Sequence, residues 1–206
     1  MRTKTLLLTA AIGAAGLASA SADVFSVNAV GFVNITAPKG FSMIANPLDN
    51  KAGNDLNHVL PTVPDGTTIY KFNGATYDLS TYLGGWDPNL SMAPGEGAFV
   101  FCDNATPMTF VGDVMQGTQA APLKINIPKG FSIRSMMVPQ SIALDDPSVG
   151  FPAADGDTVY FFRGGTYVLS TFLGGFDPAA VPALGESFFV FKDAAADWNR
   201  VFSVNN

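Results

Sequence analysis

The sequence has little of the chemistry that catalytic and metal-binding sites use. Its 206 residues include one cysteine and one histidine, and only 14% carry a charged side chain. One cysteine excludes an intramolecular disulfide, and no Cys/His set with zinc spacing is present. The sequence also has no Walker loop, no Gly-x-Ser-x-Gly elbow and no Asp-x-Asp-x-Asp-Gly calcium loop. These absences disfavour an enzyme, and we predict no catalytic residue, cofactor or metal.

Basic residues are scarce as well. The chain has 11 Lys and Arg against 17 Asp and Glu, a formal net charge of −6, and no basic run. Because nucleic acids are bound by clustered Lys and Arg, we expect no nucleic-acid partner. The 48% of hydrophobic residues are many for a chain with so few charges. We therefore expect the protein to associate with itself or to be a component of the cell envelope.

Long apolar runs are missing too. The longest, Leu6 to Leu17, is far shorter than the roughly 20 residues that span a bilayer, so we predict no transmembrane segment. Arg2 and Lys4 precede this run and small residues follow it up to Ala22. This order is typical of a secretory signal peptide at residues 1–22. The protein is thus predicted to be exported, to the extracellular space, the cell surface or the periplasm.

What the sequence does contain is an internal repeat. Pro38 to Phe101 aligns without a gap with Pro128 to Phe191, a spacing of 90 residues, and 29 of 64 positions are identical. The matches are mostly glycine, aromatic and turn residues. The repeat predicts two homologous modules, at residues 23–118 and 119–206, joined by a small polar linker at 116–122.

Both copies have the pattern of β-structure. Strand-forming runs flank Asn73-Gly74 in the first copy, which predicts a hairpin with a two-residue turn. The same hairpin is predicted in the second copy, around Arg163-Gly164-Gly165. Short strands separated by Gly, Pro, Asn and Asp favour an all-β fold. We predict two tandem β-sandwich or small-barrel modules with at most one short helix, at residues 54–60, with Asn54 as its N-cap.

The repeated motifs resemble those of a group of exported bacterial proteins. They comprise Pro-Lys-Gly-Phe-Ser, the hairpin Tyr70 to Gly74 and the strand Pro94 to Val100. In these features the chain is similar to exported β-repeat proteins of planctomycete- and verrucomicrobium-type bacteria. The resemblance covers almost all of residues 23–206. It implies an extracellular β module and carries no catalytic residues over.

Loop aromatics give the candidate binding residues. Each copy has a Leu-Gly-Gly-aromatic-Asp loop with another aromatic residue four positions before the loop aromatic. One hypothesis is that these rings stack on a sugar while the carboxylates accept its hydroxyl bonds; the other is that the rings fill the open end of a β core. The candidate residues are Tyr82, Trp86, Asp87, Phe172, Phe176 and Asp177.

Three pairs of carboxylates recur in both copies: Asp65 and Asp155, Asp87 and Asp177, and Glu96 and Glu186. Their places beside Gly and Pro favour a structural role, in which the carboxylate accepts backbone N–H groups of a turn. Cation binding and acid catalysis are the alternatives.

The sequence also contains one isolated histidine, one isolated cysteine and a short segment that occurs twice. His58 is interpreted as a surface residue, and Cys102 as an incidental free thiol at a strand end. The segment Val-Phe-Ser-Val-Asn occurs at both 24–28 and 201–205, which suggests paired edge strands, although chance identity explains it equally well.

The sequence therefore predicts a noncatalytic structural or adhesive protein of the cell surface or envelope. The alternative is a carbohydrate-binding module that recognises a polysaccharide through its loop aromatics.

Overall fold

The computed structural model describes residues 30–204, which form fourteen strands and one short helix. The first half contains β1 Val30–Ala37, β2 Gly40–Ile44, α1 Leu56–Val59, β3 Thr68–Phe72, β4 Tyr77–Tyr82, β5 Trp86–Asp87, β6 Ala98–Cys102 and β7 Thr106–Asp113. The second half contains β8 Leu123–Ile127, β9 Gly130–Ser135, β10 Thr158–Arg163, β11 Thr166–Phe172, β12 Phe176–Asp177, β13 Ser187–Lys192 and β14 Ala196–Arg200. The predicted signal peptide and the segment at 24–28 lie outside the described residues.

The two halves have the same topology. In the first, an antiparallel five-stranded sheet of order β2-β6-β3-β4-β5 accompanies a two-stranded ribbon, β1-β7. In the second, β9-β13-β10-β11-β12 accompanies β8-β14, each strand being the counterpart of one in the first half. None of the four sheets formed by residues 30–204 closes into a barrel. The all-β prediction is confirmed, with two similar sandwich-like halves.

Each half has its own core between the ribbon and the five-stranded sheet. In the first core, Ile69 and Val100 of the sheet pack with Phe110 of the ribbon. In the second, Val190 of the sheet packs with Trp198 of the ribbon. Burying each of these large side chains contributes about 1.5–3 kcal/mol, so the two cores account for much of the stability of the halves.

The helix is shorter than predicted, and its N-cap is Asp55 rather than Asn54. The side chain of Asn54 is engaged elsewhere: its Oδ1 accepts the Asn50 N–H at 3.0 Å and its Nδ2 donates to Asp49 at 2.7 Å. Val59 and Leu56 anchor α1 to the first core. No helix between residues 30 and 204 is long and apolar enough to cross a membrane.

The two halves face each other across an approximate twofold axis. The backbone N–H of Ala45 donates to Gly185 O at 2.8 Å, and the N–H of Ser135 donates to Gly95 O at 3.0 Å. These two bonds are equivalent, because the two donors, Ala45 and Ser135, are 90 residues apart and so are the two acceptors, Gly95 and Gly185. The five-stranded sheets therefore meet through the same surface of each repeat.

The connection between the halves runs through residues 114–122. Gly117 forms two backbone hydrogen bonds of 2.9 Å with Phe202, which lies just after β14, and Met115 packs against the second core. The boundary predicted between 118 and 119 falls within this connection. Phe202 belongs to the second copy of the Val-Phe-Ser-Val-Asn segment. In the described part of the chain, the backbone of this residue pairs with Gly117 of the connection.

Candidate functional site

The candidate site lies on the faces of the two five-stranded sheets that point away from the cores. Along β6, Ala98, Val100 and Cys102 enter the core, so Phe99 and Phe101 project from the opposite face, because successive strand residues alternate between faces. Phe41 on β2 stands opposite Phe101, and Tyr70 on β3 stands opposite Phe99. This face of the sheet is consequently rich in aromatic rings.

The β3–β4 hairpin completes this aromatic face. Its register places Tyr77 opposite Phe72. In the second half, Tyr167 stands opposite Phe162 in the same way. The predicted hairpin is present, and because Arg163 pairs with Thr166 its turn consists of Gly164 and Gly165, with φ of 61° and 80°. In the first half, the ladder of paired strands ends at Phe72 and Tyr77, but the Asn73 N–H still donates to Thr76 O at 3.0 Å. The turn therefore lies at Gly74 and Ala75, one residue after the predicted Asn73-Gly74.

The aromatic faces of the two halves pack against each other near the twofold axis. Ring centroids lie 5.3 Å apart for Phe72 and Phe189, 5.4 Å for Phe99 and Phe162, and 6.0 Å for Phe99 and Phe189. The first two pairs are edge-to-face, a favoured geometry for aromatic rings. Phe99 and Phe189 are 7% and 8% exposed, so they form the floor of the interface.

Two pockets, of about 310 and 390 Å³, open on this aromatic interface. Six side chains line the first: Phe41, Tyr70, Tyr77, Phe99, Phe162 and Tyr167. Six line the second: Phe131, Tyr160, Tyr167, Phe189, Phe72 and Tyr77. Each residue of one list is the 90-residue counterpart, of identical type, of a residue in the other. We call them the twin aromatic pockets.

The pockets adjoin each other, because Tyr77 and Tyr167 line both of them. At the outer ends, Phe41 and Phe131 are each 45% exposed, and Tyr167 is 42% exposed. Solvent therefore reaches side chains of both pockets and a side chain that they share. We call the two adjoining pockets together the groove, and Phe99 and Phe189 form its buried floor.

The groove carries no charge, because its lining consists only of Phe and Tyr. Burial raises the pKa of Tyr77 and of Tyr167 above the ordinary value, and for Tyr77 the neighbouring Tyr167 phenol raises it further. Both phenols are thus neutral at physiological pH and can donate hydrogen bonds. The hydroxyls of Tyr70, Tyr77, Tyr160 and Tyr167 form no hydrogen bond with the residues that the structure describes.

The structure places the two aromatic residues predicted for the first-half loop, Tyr82 and Trp86, in the first core. The Trp86 indole N–H donates to Leu60 O at 2.8 Å, and the Tyr82 hydroxyl donates to Pro61 O at 3.0 Å. Trp86 is 4% exposed and Tyr82 is 8% exposed. Asp87 is exposed beside them, so the acid and the rings are close in sequence but no ring face is open for a sugar.

The second half repeats this arrangement. Phe176 is buried, and its ring lies 5.2 Å from Phe172 and 6.0 Å from Phe151. Phe172 is half-buried and packs against the second core, while Asp177 is exposed. Two hypotheses were stated for these loops, sugar stacking and core filling. The burial of Trp86 and Phe176 agrees with core filling.

Two of the three recurring pairs of carboxylates, Asp65 with Asp155 and Glu96 with Glu186, bind backbone N–H groups of nearby loops. Asp65 accepts the Gly84 N–H at 3.0 Å, and its counterpart Asp155 accepts the Gly174 N–H at 2.9 Å. Such bonds are those expected of turn-stabilising acids. Among residues 30–204, no group of three or more His, Cys, Asp or Glu side chains is arranged to hold a metal ion.

Glu96 illustrates the same structural role. It accepts hydrogen bonds from Ser91 Oγ at 2.6 Å, from Lys71 Nζ at 2.9 Å and from the Ala93 N–H at 2.9 Å. Burial raises the pKa of this carboxyl, but the bonds from Ser91 and Lys71 outweigh burial and hold the pKa below its usual range. Its counterpart Glu186 is bound by Arg163 Nε at 2.7 Å instead.

The isolated histidine and cysteine lie apart from the pockets. The His58 ring is partly exposed, and its Nδ1 lies 2.7 Å from Asp55 Oδ2. Cys102 is buried at the end of β6, and burial raises the pKa of its thiol. The thiol is thus predominantly protonated at neutral pH, which suits an unreactive cysteine.

Sequence reasoning missed the residues of the twin aromatic pockets, although a signal was present. Every lining residue recurs as the same residue type 90 positions away, and most alternate along strands with core residues. The continuous apolar runs at 98–101 and 188–191 are typical of strands buried on both faces, and Phe99 and Phe189 are indeed buried. Such runs give no sign that neighbouring rings on the same face are exposed. No protein-family model, curated protein or solved structure matches the chain.

Proposed function

We propose that this protein is a noncatalytic, exported adhesive component of the cell surface or envelope, and that it holds its binding partner in the twin aromatic pockets. The observation that carries the proposal is the identity of all six lining residues between the two pockets. Core positions vary between the halves, as where Met108 corresponds to Trp198. The open groove keeps its residue types, and Phe41 and Phe131 expose the same fraction of their surface to solvent.

Exposed aromatic clusters of this kind support a binding role. Apolar patches on protein surfaces commonly mark sites of interaction, and aromatic rings supply large contact areas at interfaces. The groove supports binding rather than catalysis, because its Phe and Tyr side chains can stack on a partner and form hydrogen bonds with it. Export is the remaining part of the proposal, and the features of residues 1–22 support it.

The test is co-sedimentation of the purified exported chain with isolated envelopes of the producing cells. We expect the Phe41→Ser/Phe131→Ser variant to lose most of its envelope binding. The matched control is Leu83→Ser/Leu173→Ser, which removes two loop residues of 75% and 76% exposure outside the pockets. Equal binding by the pocket variant and the wild type would refute the proposal.

Carbohydrate recognition is the second candidate. The exposed ring faces of Phe41 and Phe131 favour it, since sugar rings stack on flat aromatic surfaces. It differs from the first proposal in the expected behaviour of the isolated protein: retention as a monomer on polysaccharide columns, with loss of retention in the Phe41→Ser/Phe131→Ser variant. A large assembly in the envelope that is indifferent to polysaccharide favours the structural and adhesive role.

A further inference from the structure

We infer that the twin aromatic pockets bind a neutral or basic proline-rich peptide segment in the polyproline II conformation. The inference rests on the proposed function, because it names the ligand class of the same groove. It is carried by three properties of the groove: the chemistry of its lining, its approximate twofold symmetry and its lack of charge.

The lining offers hydrogen-bond donors without strong acceptors. Tyr70, Tyr77, Tyr160 and Tyr167 supply hydroxyls that are free of partners in the described chain, and the other lining residues are phenylalanines. A polyproline II segment presents the opposite set of groups. Its carbonyls have no internal hydrogen bonds and its prolines have no N–H, so it accepts hydrogen bonds while its rings pack on aromatic faces.

A sugar fits this lining less well. Each sugar hydroxyl is a donor as well as an acceptor, and a donor that is buried without an acceptor is unfavourable. Neither pocket has a carboxylate or amide side chain in its lining, because all the lining residues are Phe or Tyr. Phenol oxygens would be the only side-chain acceptors for the sugar.

The symmetry of the groove points to the same ligand. Because the pockets adjoin at Tyr77 and Tyr167 and match residue by residue, a chain lying across both meets the same chemistry at each end. Most ligands have two different ends and satisfy only one half of such a groove. A polyproline II helix repeats its ridges and carbonyls every three residues, roughly 9 Å, and presents similar surfaces in either chain direction.

Charge restricts the sequence of the peptide. The groove is neutral and the chain as a whole has a net charge of −6. Acidic peptides are therefore repelled by the surrounding protein. Neutral segments, or segments with basic flanks, remain.

The test uses the full exported chain and three probes: synthetic decaproline, a Gly-Ser peptide of equal length, and maltohexaose. Binding is measured by calorimetry and by changes in the NMR signals of the tyrosine rings. We expect decaproline to bind and to shift the ring signals of Tyr77 and Tyr167, whereas the Gly-Ser peptide does not bind. The Gly-Ser control separates a preference for preformed polyproline II from general peptide binding.

Two variant sets locate the contacts. Tyr77→Phe/Tyr167→Phe keeps the rings and removes only the donors, and we expect decaproline affinity to fall about tenfold for the loss of two hydrogen bonds. Phe41→Ala and Phe131→Ala should weaken binding to a similar extent, because a direction-tolerant ligand uses both ends of the groove. Thermal melting of each variant confirms that it is folded.

The outcomes separate the inference from the proposed function. If maltohexaose shifts the tyrosine signals and decaproline does not, the ligand class is wrong and the pockets remain a binding site. Undiminished decaproline affinity in both variant sets also overturns the inference. If no probe binds and the Phe41→Ser/Phe131→Ser variant still co-sediments with envelopes, the inference and the proposed function both fail.

Discussion

Gly97 lies against its own counterpart, Ser187, where the two halves of the molecule meet. A Cβ atom at Gly97 would stand 2.2 Å from Ser187 Cβ and 2.8 Å from Ile133 Cγ2, distances that real Cβ atoms do not tolerate. Near a twofold axis, equivalent residues face each other, so a side chain at one position leaves no room for the same side chain at the other. This explains why the two copies differ at this position.

We predict that Gly97→Ser destabilises the protein by about 1–3 kcal/mol, the usual cost of overpacking. The substitution gives the first half the residue of the second and creates the clash at the axis. The measurement is the free energy of unfolding in urea. Ser187→Gly is the matched control, for which we expect about 0.5–1 kcal/mol from backbone entropy alone. A Gly97→Ser variant as stable as the wild type would show that the halves do not meet as described.

The second half contains a buried ion pair that the first half lacks. Lys192 and Asp157 are each 3% exposed and are bonded to each other, and Lys192 also donates to Pro152 O at 2.6 Å. Their counterparts in the first half are Cys102 and Thr67, which are buried and uncharged. The repeated fold thus accommodates either a buried ion pair or two buried uncharged side chains at these two positions.

We expect Lys192→Cys to cost about 3–5 kcal/mol, because it leaves the Asp157 carboxylate buried without its partner. The double variant Asp157→Thr/Lys192→Cys copies the first half and should recover most of this loss. Chemical unfolding of the wild type, both single variants and the double variant forms a double-mutant cycle. Additive losses in the double variant would contradict the prediction.

Trp86 stabilises the first core, and its substitution tests the role of the loop aromatics. Trp86→Ala should lower the free energy of unfolding by about 3–5 kcal/mol, because it removes a large buried ring and the indole bond to Leu60 O. Leu83→Ala, at an exposed position of the same loop, should change stability little. Calorimetric melting provides the comparison.

Ligand titration completes this test. We expect soluble glycans to leave the tryptophan fluorescence unchanged, since both Trp86 and Trp198 are enclosed in the cores. A glycan-dependent change in fluorescence that disappears in Trp86→Ala, together with unchanged melting of that variant, would support the sugar-binding hypothesis for this loop.

The stability of the protein should depend on the ionisation of Glu96. Its folded-state pKa is held below the ordinary value of 4.5, so the ionised carboxylate stabilises the folded state at pH values above that value. This contribution is lost as the pH falls through the lower folded-state pKa. Glu96→Gln should therefore lower stability at neutral pH and flatten the decline of stability in acid. The measurement is urea unfolding between about pH 7 and pH 3. An unchanged acid profile in Glu96→Gln would contradict the prediction.

Several structural features could be predicted from residue order. A hairpin around Arg163-Gly164-Gly165 was predicted and is present, with Gly164 and Gly165 as the turn, because glycine adopts positive φ at low cost. The hairpin predicted around Asn73-Gly74 is also present, but its turn lies one residue later, at Gly74 and Ala75. There the Asn73 N–H donates to Thr76 O at 3.0 Å, while the Asn73 side chain accepts the N–H groups of Ala75 and Thr76 at 3.2 and 2.9 Å.

The candidate site was the part that residue order described least well. Trp86 and Phe99 are both aromatic residues in repeated motifs, yet Trp86 belongs to a core and Phe99 to the floor of the groove. Strand alternation separates Phe99 from Val100, but it does not say which neighbour covers each face. That assignment depends on where the ribbon and the other half pack.

The sequence by itself determined the β-structure and the duplication, because turn residues, strand propensity and a 90-residue repeat are local or countable properties. Only the tertiary structure decided that the repeated aromatic faces meet across a twofold axis and open as a groove between Phe41 and Phe131. The physical reason is that an apolar strand face can be buried by its own core, by the other half or by a ligand. The packing of whole sheets selects among these, and single residues do not.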